Sequence, residues 1–269
     1  MQKDVPLKDL LGPEAVEALA HNMSLAWADF DVDSFRSAAL AGLEPLGILD
    51  RGRKLADALW DHLPGDFESA TEILLRSLTP PLEETQDLGL AVFFYLPHVS
   101  LVAKYGLDPT HNAGRDPFEA AMRAQYELTQ RFSAEFSIRP FLIREPQRTL
   151  ARLMEWSNDP SAHVRRLCSE GSRPRLPWAM RLPGFVKDPR PALPILEALK
   201  DDPSLYVRRS VANHLGDIAK DHAELALSIA ERWLNNSSKE RRWVIRHALR
   251  HPAKKGVVEA LWIRAAAKA

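Results

Sequence analysis

The chain contains the string Asn158-Asp159-Pro160-Ser161-Ala162-His163-Val164-Arg165-Arg166 and, 43 residues further on, the nearly identical string Asp201-Asp202-Pro203-Ser204-Leu205-Tyr206-Val207-Arg208-Arg209. A looser third copy, Val244-Ile245-Arg246, follows 37 residues after the second, and an apolar run lies behind it. A repeat of this length is too short to bury its own apolar face, so neighbouring copies must stack on each other.

The repeat length predicts the fold class, because periods of roughly 40 to 47 residues are typical of HEAT-type helix pairs. We therefore predict an all-α, HEAT-like repeat α-solenoid of stacked antiparallel helix pairs with a concave basic groove. The whole chain, residues 1–269, is predicted to be a single domain of this kind. Its predicted parts are an acidic helical cap at about 1–85, catalytic repeats at about 86–255 and a C-terminal helix at 256–269.

Helix signals occupy most of the chain, and no set of strands is evident. Pro160 and Pro203 follow residues able to cap a helix and are predicted in first helical turns, where proline is tolerated. Residues 171–183 hold three prolines and three arginines, which predicts an exposed loop. Helices are predicted at 13–20, after Asp33-Ser34, and at 53–62, 67–78, 88–96, 117–136, 140–157, 161–169 and 204–220.

Composition limits the class of protein. The 269 residues are 45% apolar, which is enough for a substantial core, and no apolar stretch approaches the roughly 18 residues of a membrane span. The start Met1-Gln2-Lys3-Asp4 lacks the features of a secretory signal, so a cytoplasmic bacterial protein is predicted. Cys168 is the sole cysteine and no metal-binding pair of histidines is present, so no metal is expected.

Charge is distributed unevenly although the formal net charge is zero. The chain carries 10 basic and 21 acidic residues through Gln130, and 26 basic and 15 acidic residues from Arg131 onward. Repeated arginine pairs on a stacked array can neutralise phosphates, so nucleic acid is the leading predicted partner. The alternative is that these charges only solvate helix faces.

Polar residues recur at helical spacing beside the packing stripe Val207, Val211, Leu215 and Ile218. Arg209, Asn213 and Asp217 lie four residues apart and share one helix face, where the arginine could hold a phosphate near a fixed carboxylate. The same spacing pairs Arg166 with Glu170, and Arg131 with Glu135. Pairs at this spacing are commonly solvated surface pairs, and spacing alone does not exclude that alternative.

Longer motifs carry a resemblance to a known family. They are Tyr95-Leu96-Pro97-His98-Val99, the run from Tyr126 to Leu142, Ser169-Glu170-Gly171-Ser172-Arg173-Pro174-Arg175-Leu176-Pro177-Trp178, and the run from Asp202 to Leu215. Together they make residues from about Asp33 to Lys255 resemble the AlkC branch of HEAT-like DNA alkylation-repair glycosylases. The resemblance implies a monofunctional enzyme that removes N3-alkylated bases, chiefly 3-methyladenine and also 3-methylcytosine, from double-stranded DNA without a cofactor.

The resemblance also implies site residues: Asp217, Glu135 and Glu170 as catalytic or lesion-contacting carboxylates, with Trp178 as an aromatic contact. A plug that only packs is the alternative role for Trp178. The chain departs from the family pattern at Gly216, where asparagine is expected. Some relatives also continue into a small β-rich domain that touches DNA, whereas little follows Lys255 here.

The resemblance further implies that DNA is bent around the concave face, with the lesion still largely stacked. The arginines that recur with the repeat are the expected phosphate contacts. The alternative for each is a ladder of ion pairs between repeats, an alternative that applies above all to Arg166 and Arg209. Together with three further residues, Arg173, Arg175 and Asn213, the predicted DNA-binding residues are Arg165, Arg166, Arg173, Arg175, Arg208, Arg209, Asn213, Arg241, Arg242 and Arg246.

Two classes of function remain open at this point. A glycosylase acting on cationic bases needs carboxylates within a basic surface, whereas a noncatalytic HEAT adaptor binding nucleic acid or protein does not. Finding Glu135, Glu170 and Asp217 far apart would favour the adaptor. A monomer without membrane association or an obligate protein partner is expected.

Overall fold

A computed structural model describes residues 6–86 and 89–268. The chain divides into two compact units, Met1–Pro140 and Phe141–Ala269. Within the described residues the units contain α-helices and short 3-10 helices but no strand. The prediction of an all-α fold is confirmed.

The first unit is built from short helices whose starts follow from local sequence. Asp31 and Asp66 precede helices, and their carboxylates accept hydrogen bonds from the backbone N–H groups of Ser34 and Ser69, each at 3.0 Å. Arg51 is almost fully buried and donates to the carbonyl oxygens of Lys8 and Glu44, among others, which attaches the first turns to the unit. The helices are α1 Pro13–Ala26, α2 Val32–Leu40, α3 Ile48–Asp61, α4 Phe67–Arg76, α5 Leu96–Tyr105 and α6 Phe118–Thr129, with 3-10 turns at Leu7–Leu11, Ala91–Tyr95 and Pro109–Asn112; α7, Ile138–Arg144, spans the division.

The second unit contains the repeats. Its helices are α8 Pro146–Trp156, α9 Ala162–Gly171, α10 Pro183–Lys187, α11 Leu193–Leu199, α12 Leu205–Asp221, α13 Ala223–Leu234, α14 Lys239–Ala248, α15 Arg250–Lys254 and α16 Val258–Ala266, with a 3-10 turn at Arg190–Ala192. Helix α12 packs against α9 on one side and α14 on the other, and also against α11 and α13. Its predicted packing stripe is buried throughout, from Val207 to Ile218. Stacked helix pairs of this kind confirm the HEAT-like prediction.

The helix starts define the register of the repeats. Ser161, Ser204 and Ser238 are the residues immediately before α9, α12 and α14, so the copies are spaced by 43 and 34 residues. The predicted third copy at Val244, 37 residues after Val207, is therefore three residues out of register. The error arose because the match followed apolar residues, whereas the caps fix where each helix begins.

Several predicted boundaries are wrong for identifiable reasons. The helix predicted at 117–136 ends at Thr129, and the one predicted at 140–157 is broken between α7 and α8. Pro146 causes the second break, since it cannot donate the backbone bond that a continuous helix requires. Pro160 and Pro203 lie just before the caps rather than in the first turns. The helix predicted at 88–96 begins outside the described residues, and Ala91–Tyr95 forms a 3-10 turn.

The proposed cap, catalytic and C-terminal segments, at about 1–85, 86–255 and 256–269, stay predictions. In the part of the chain that the structure describes, no helix combines the length and apolar character required to cross a bilayer.

Candidate functional site

One guanidinium group binds both the C-terminal end of α9 and the last turns of α12. Arg173, two residues past α9, donates from Nη1 to Glu170 Oε1 and from Nε to Asp217 Oδ2, both at 2.7 Å. The three side chains are buried, with residue exposures of 8% for Arg173, 6% for Glu170 and 2% for Asp217. The structure thus brings together two of the three predicted carboxylates.

Neighbouring charges favour the ionised forms of Glu170 and Arg173. Burial alone would raise the pKa of Glu170, but the charges of Arg166 and Arg173 and a hydrogen bond from Ser210 hold the pKa below its ordinary value of 4.5. The same burial would lower the pKa of Arg173, and the two carboxylates raise it instead. A buried charge is tolerated only when it is paired, and this pairing leaves a carboxylate available as an anion at neutral pH.

Other contacts complete the coordination of the two carboxylates. Ser210 Oγ donates to Glu170 Oε2 at 2.5 Å, and Lys220 Nζ donates to Asp217 Oδ1 at 2.8 Å. The Lys220 side chain is 47% exposed, so its bond to Asp217 can break without stranding a buried cation. Arg166 lies over the ring of Tyr206, 5.2 Å from the ring centroid, and 3.5 Å from Glu170 Oε1.

The loop that follows α9 is attached to α12 at two successive turns. Arg173 holds Asp217, and Arg175 holds Asp221 with two hydrogen bonds of 2.6 and 2.7 Å. Trp178 lies further along this loop, is 62% exposed and has a φ of +69°. A left-handed backbone costs a residue other than glycine about 1–2 kcal/mol. The exposure excludes a buried plug for Trp178 in this structure.

Glu135 lies in the first unit, after α6 has ended at Thr129. Ser133 Oγ donates to its Oε2 at 2.9 Å, and the residue is half-buried. Arg131 does not share a helical turn with it and instead pairs with Glu127, four residues earlier, at 2.8 Å. The predicted spacing of Arg131 and Glu135 on one helix face is therefore wrong.

The first arginine of each repeat takes part in contacts within and between repeats. Arg165 binds both oxygens of Asp202, at 2.6 and 3.1 Å, and Arg241 binds Asp201. Arg208 donates to the backbone carbonyls of Asp202 and Pro203. An ion-pair ladder between repeats thus exists, and Arg165 and Arg241 take part in it. DNA contact by these three arginines stays a prediction.

The remaining predicted DNA contacts differ in their surroundings. Arg242 Nε donates to Ser237 Oγ, and Arg246 donates to the carbonyl of Ala267. Arg209 is exposed and, within the described chain, forms no ion pair or side-chain hydrogen bond. Asn213 Oδ1 accepts from Arg250 Nη2 at 3.0 Å and from His247 Nε2 at 3.2 Å.

Sequence reasoning missed Ser210, Lys220, His247 and Arg250 around this site. Lys220 follows Asp217 by three residues, so helical spacing alone could have indicated their contact. The cap register identifies His247 as the counterpart of Asn213 on the next helix, once Ser238 is aligned with Ser204. In the described ranges no group of His, Cys, Asp and Glu side chains is arranged to hold a metal ion.

Helix packing explains why glycine stands at position 216, where the family pattern has asparagine. A Cβ atom at this position would lie 3.1 Å from the carbonyl oxygen of Ala248, closer than nine in ten such contacts. The missing side chain allows α14 to approach α12 closely beside Asp217.

A solved structure relates this site to a known enzyme. The structure of Pseudomonas fluorescens alkylpurine DNA glycosylase AlkC bound to DNA containing an abasic site analog matches with a TM-score of 0.83 and 40% sequence identity, covering 96% of this chain and 67% of that one. This chain belongs to the AlkC family. The resemblance predicted from the motifs is thereby confirmed.

A second AlkC-type relative comes from the comparison of sequences. The uncharacterized protein YhaZ of Bacillus subtilis (strain 168) is 37% identical over 256 residues, which are 95% of this chain and 67% of that protein. The chain therefore spans about two thirds of the length of each of these AlkC family relatives. No family model matches it.

Proposed function

We propose that this AlkC family member is a monofunctional DNA glycosylase of base excision repair. Its proposed reaction hydrolyses the N-glycosidic bond of cationic alkylated bases, chiefly 3-methyladenine and also 3-methylcytosine, in duplex DNA. The observation that carries the proposal is the buried Asp217 carboxylate, held by Arg173 on a helix face next to an exposed tryptophan loop. The relative of 40% identity is an alkylpurine DNA glycosylase bound to DNA.

The chemistry of the substrate explains why carboxylates suit this reaction. Alkylation at a ring nitrogen makes the base cationic, so it departs as a neutral molecule with the electron pair of the broken bond. The sugar left behind develops oxocarbenium character, and water adds to C1′ with loss of a proton. An ionised carboxylate in a water-poor site stabilises that developing positive charge strongly.

We assign roles to the predicted residues on this basis. Asp217 would face the sugar and orient or deprotonate the attacking water. Glu170 and Glu135 would attract the cationic base or position water. Trp178 would stack against the lesion or the deoxyribose through its π face.

The proposed DNA contacts fall into two groups. Arg209 and Asn213 lie on the same face of α12 as Asp217 and have capacity for further hydrogen bonds. Others hold carboxylates, carbonyls or, for Arg242, a serine hydroxyl within the protein and would have to exchange or share them on binding. That second group is Arg165, Arg166, Arg173, Arg175, Arg208, Arg241, Arg242 and Arg246.

The remaining parts of the proposal assume that the enzyme binds DNA on an open surface. The lesion would be attacked without complete rotation of the base into a pocket, while the DNA is bent. The enzyme would act as a monomer without a cofactor, in the bacterial cytoplasm on nucleoid DNA.

Base release from methylated duplex DNA tests the proposal. The parent protein and Asp217→Asn are compared by chromatography of the released bases at matched occupancy of DNA. We expect the parent to release 3-methyladenine and the variant to be slower by about 10²–10³-fold, as for other lost electrostatic contacts to a transition state. Release by neither protein with DNA binding intact would support the HEAT adaptor instead. Equal release by both would exclude Asp217 as the key group.

A further inference from the structure

A closed polar network fixes the orientation of the Asn213 amide. Its Oδ1 accepts from Arg250 Nη2 at 3.0 Å and from His247 Nε2 at 3.2 Å, and Arg250 Nη1 donates to the carbonyl of His247 at 2.7 Å. A guanidinium group can only donate, so the atom facing Arg250 must be the amide oxygen. The amide nitrogen therefore points away from both partners.

His247 is a rigid neutral member of this network. Its ring stacks on Trp243 at 4.9 Å between centroids and 15° between planes. Burial, followed by the charges of Arg250 and Arg209, lowers the pKa of His247 to about 4. The ring is therefore neutral at pH 7, and because Oδ1 of Asn213 is an acceptor, Nε2 carries the ring proton.

Two arginines, Arg209 and Arg250, place positive charge on this side of α12. Neither Arg209 nor Arg250 forms an ion pair with a carboxylate in the described parts of the chain. Burial and repulsion from Arg173 lower the pKa of Arg250, so the surroundings disfavour its charge and an added anion would relieve that cost. Asn213 also has no acceptor for its amide nitrogen among the described residues, and it lies one helical turn before Asp217.

We propose that Asn213, Arg209 and Arg250 bind one DNA phosphate beside the reacting nucleotide, with His247 and Arg250 acting as positioning residues that aim the Asn213 amide nitrogen at a phosphate oxygen. This inference rests on the proposed function and deepens it, since it assigns His247 and Arg250 roles that the sequence did not indicate. A phosphate held one turn from Asp217 sets where the adjoining deoxyribose lies against that carboxylate.

Asn213→Asp is the decisive variant because it preserves the internal network. A carboxylate still accepts from Arg250 and His247, so folding is not threatened, but the amide donor is replaced by an anionic oxygen. Binding is measured with a duplex containing an uncharged abasic-site analogue over a range of salt concentrations. We expect the Kd to rise by about 10-fold or more, as for a lost hydrogen bond to a charged group. The slope of log Kd against log salt should fall by about one.

Two further variants separate positioning from a merely structural link. His247→Gln keeps a donor for Asn213 and should stay within about 3-fold of the parent in Kd, whereas His247→Ala should approach the Asn213→Asp value. Arg232→Gln is the matched charge control, since Arg232 is an exposed guanidinium on α13 that pairs with Glu197. This control should retain the parent Kd.

The phosphate itself is identified by duplexes that carry single neutral methylphosphonates around the lesion. One position should weaken binding by the parent about 10-fold and leave Asn213→Asp unchanged, which demonstrates coupling between that phosphate and the amide. Parental affinity and salt slope in Asn213→Asp, or equal losses for both proteins at every position, would overturn the inference. Because these measurements follow binding, the inference can hold even if the parent releases no base, an outcome that would refute only the proposed reaction.

Discussion

Helices α9 and α12 begin with nearly the same residues but carry different polar side chains further along. Four positions after the second arginine, α9 carries Glu170 and α12 carries Asn213. Both oxygens of Glu170 accept hydrogen bonds from within the protein, whereas Asn213 uses only its oxygen. The repeat therefore determines where the backbone of a residue lies, and the next helix in the stack determines what its side chain does.

The second arginines show the same divergence. Arg166 lies over Tyr206 of α12 and near Glu170, while Arg209 has no carboxylate partner among the residues that the structure describes. Helix α12 contacts α9 through an aromatic ring and a serine, whereas α12 itself meets a histidine of α14 and Arg250, the first residue of α15. The α9 side is therefore closed by internal pairs, and the α12 side keeps a surplus of donors for a polyanion.

The largest predicted effect lies at the guanidinium shared by the two helices. Arg173→Met would leave Glu170 and Asp217 as buried carboxylates without the cation between them. We expect a loss of about 3–5 kcal/mol in the free energy of unfolding, measured by urea denaturation at pH 7.

Arg175→Gln provides the comparison on the same loop and the same helix. Arg175 and Asp221 are partly exposed, so their removal should lower the urea midpoint far less than Arg173→Met. Equal losses for the two variants would show that attachment of the loop, rather than burial of charge, dominates.

The second prediction concerns pH, because α12 carries the buried His214 where α9 has Gly171. Burial, and then the charge of Arg173, lowers the pKa of His214 to about 4, against opposing effects of Asp217 and Glu170. Between pH 6.5 and 4 the His214 side chain binds a proton in the unfolded chain but not in the folded protein. The stability that comes from neutral His214 is therefore complete above pH 6.5 and is lost as the pH falls toward 4. The loss should be about 3 kcal/mol. Unfolding free energies of the parent and His214→Gln at pH 7 and 4.5 test this, and parallel declines would contradict it.

The smallest predicted effects distinguish the two arginines of a repeat. Arg165→Gln removes the bidentate partner of Asp202, which is 6% exposed, and should cost about 2 kcal/mol in unfolding free energy. Arg209→Gln should change stability by less than about 0.5 kcal/mol. In salt titrations of duplex binding, Arg209→Gln should lower the slope by about one. If Arg209→Gln lost more unfolding free energy than Arg165→Gln, the distinction between the structural and the DNA-binding arginine would be wrong.

Local sequence predicted the fold well where a single feature controls it. Helix starts at Ala162 and Leu205 lie within a residue of the predicted starts because aspartate, proline and serine fix the chain there. Asp159 and Asp202 each accept from the N–H two residues on, at 2.8 Å. Boundaries failed at Thr129 and Pro146, and the third repeat failed because apolar matches outweighed the cap at Ser238.

The site was predictable in part for a related reason. Spacing placed Asn213 and Asp217 on one helix face. The resemblance selected Glu170 and Asp217, and both carboxylates bind Arg173 in the structure. The contact partners could not be predicted, since Arg173 and Asp217 are 44 residues apart in sequence. His247 and Arg250 required the register of a third helix that sequence alone had misaligned.

Close packing at Gly216 restricts the residue types that this position can accept. A Cβ atom at 216 would lie 3.1 Å from the carbonyl oxygen of Ala248, so the backbones of α12 and α14 leave little room for a side chain there. A larger residue there would shift the helix that carries His247 without changing any polar group. The placement of His247 therefore depends on a position that has no side chain.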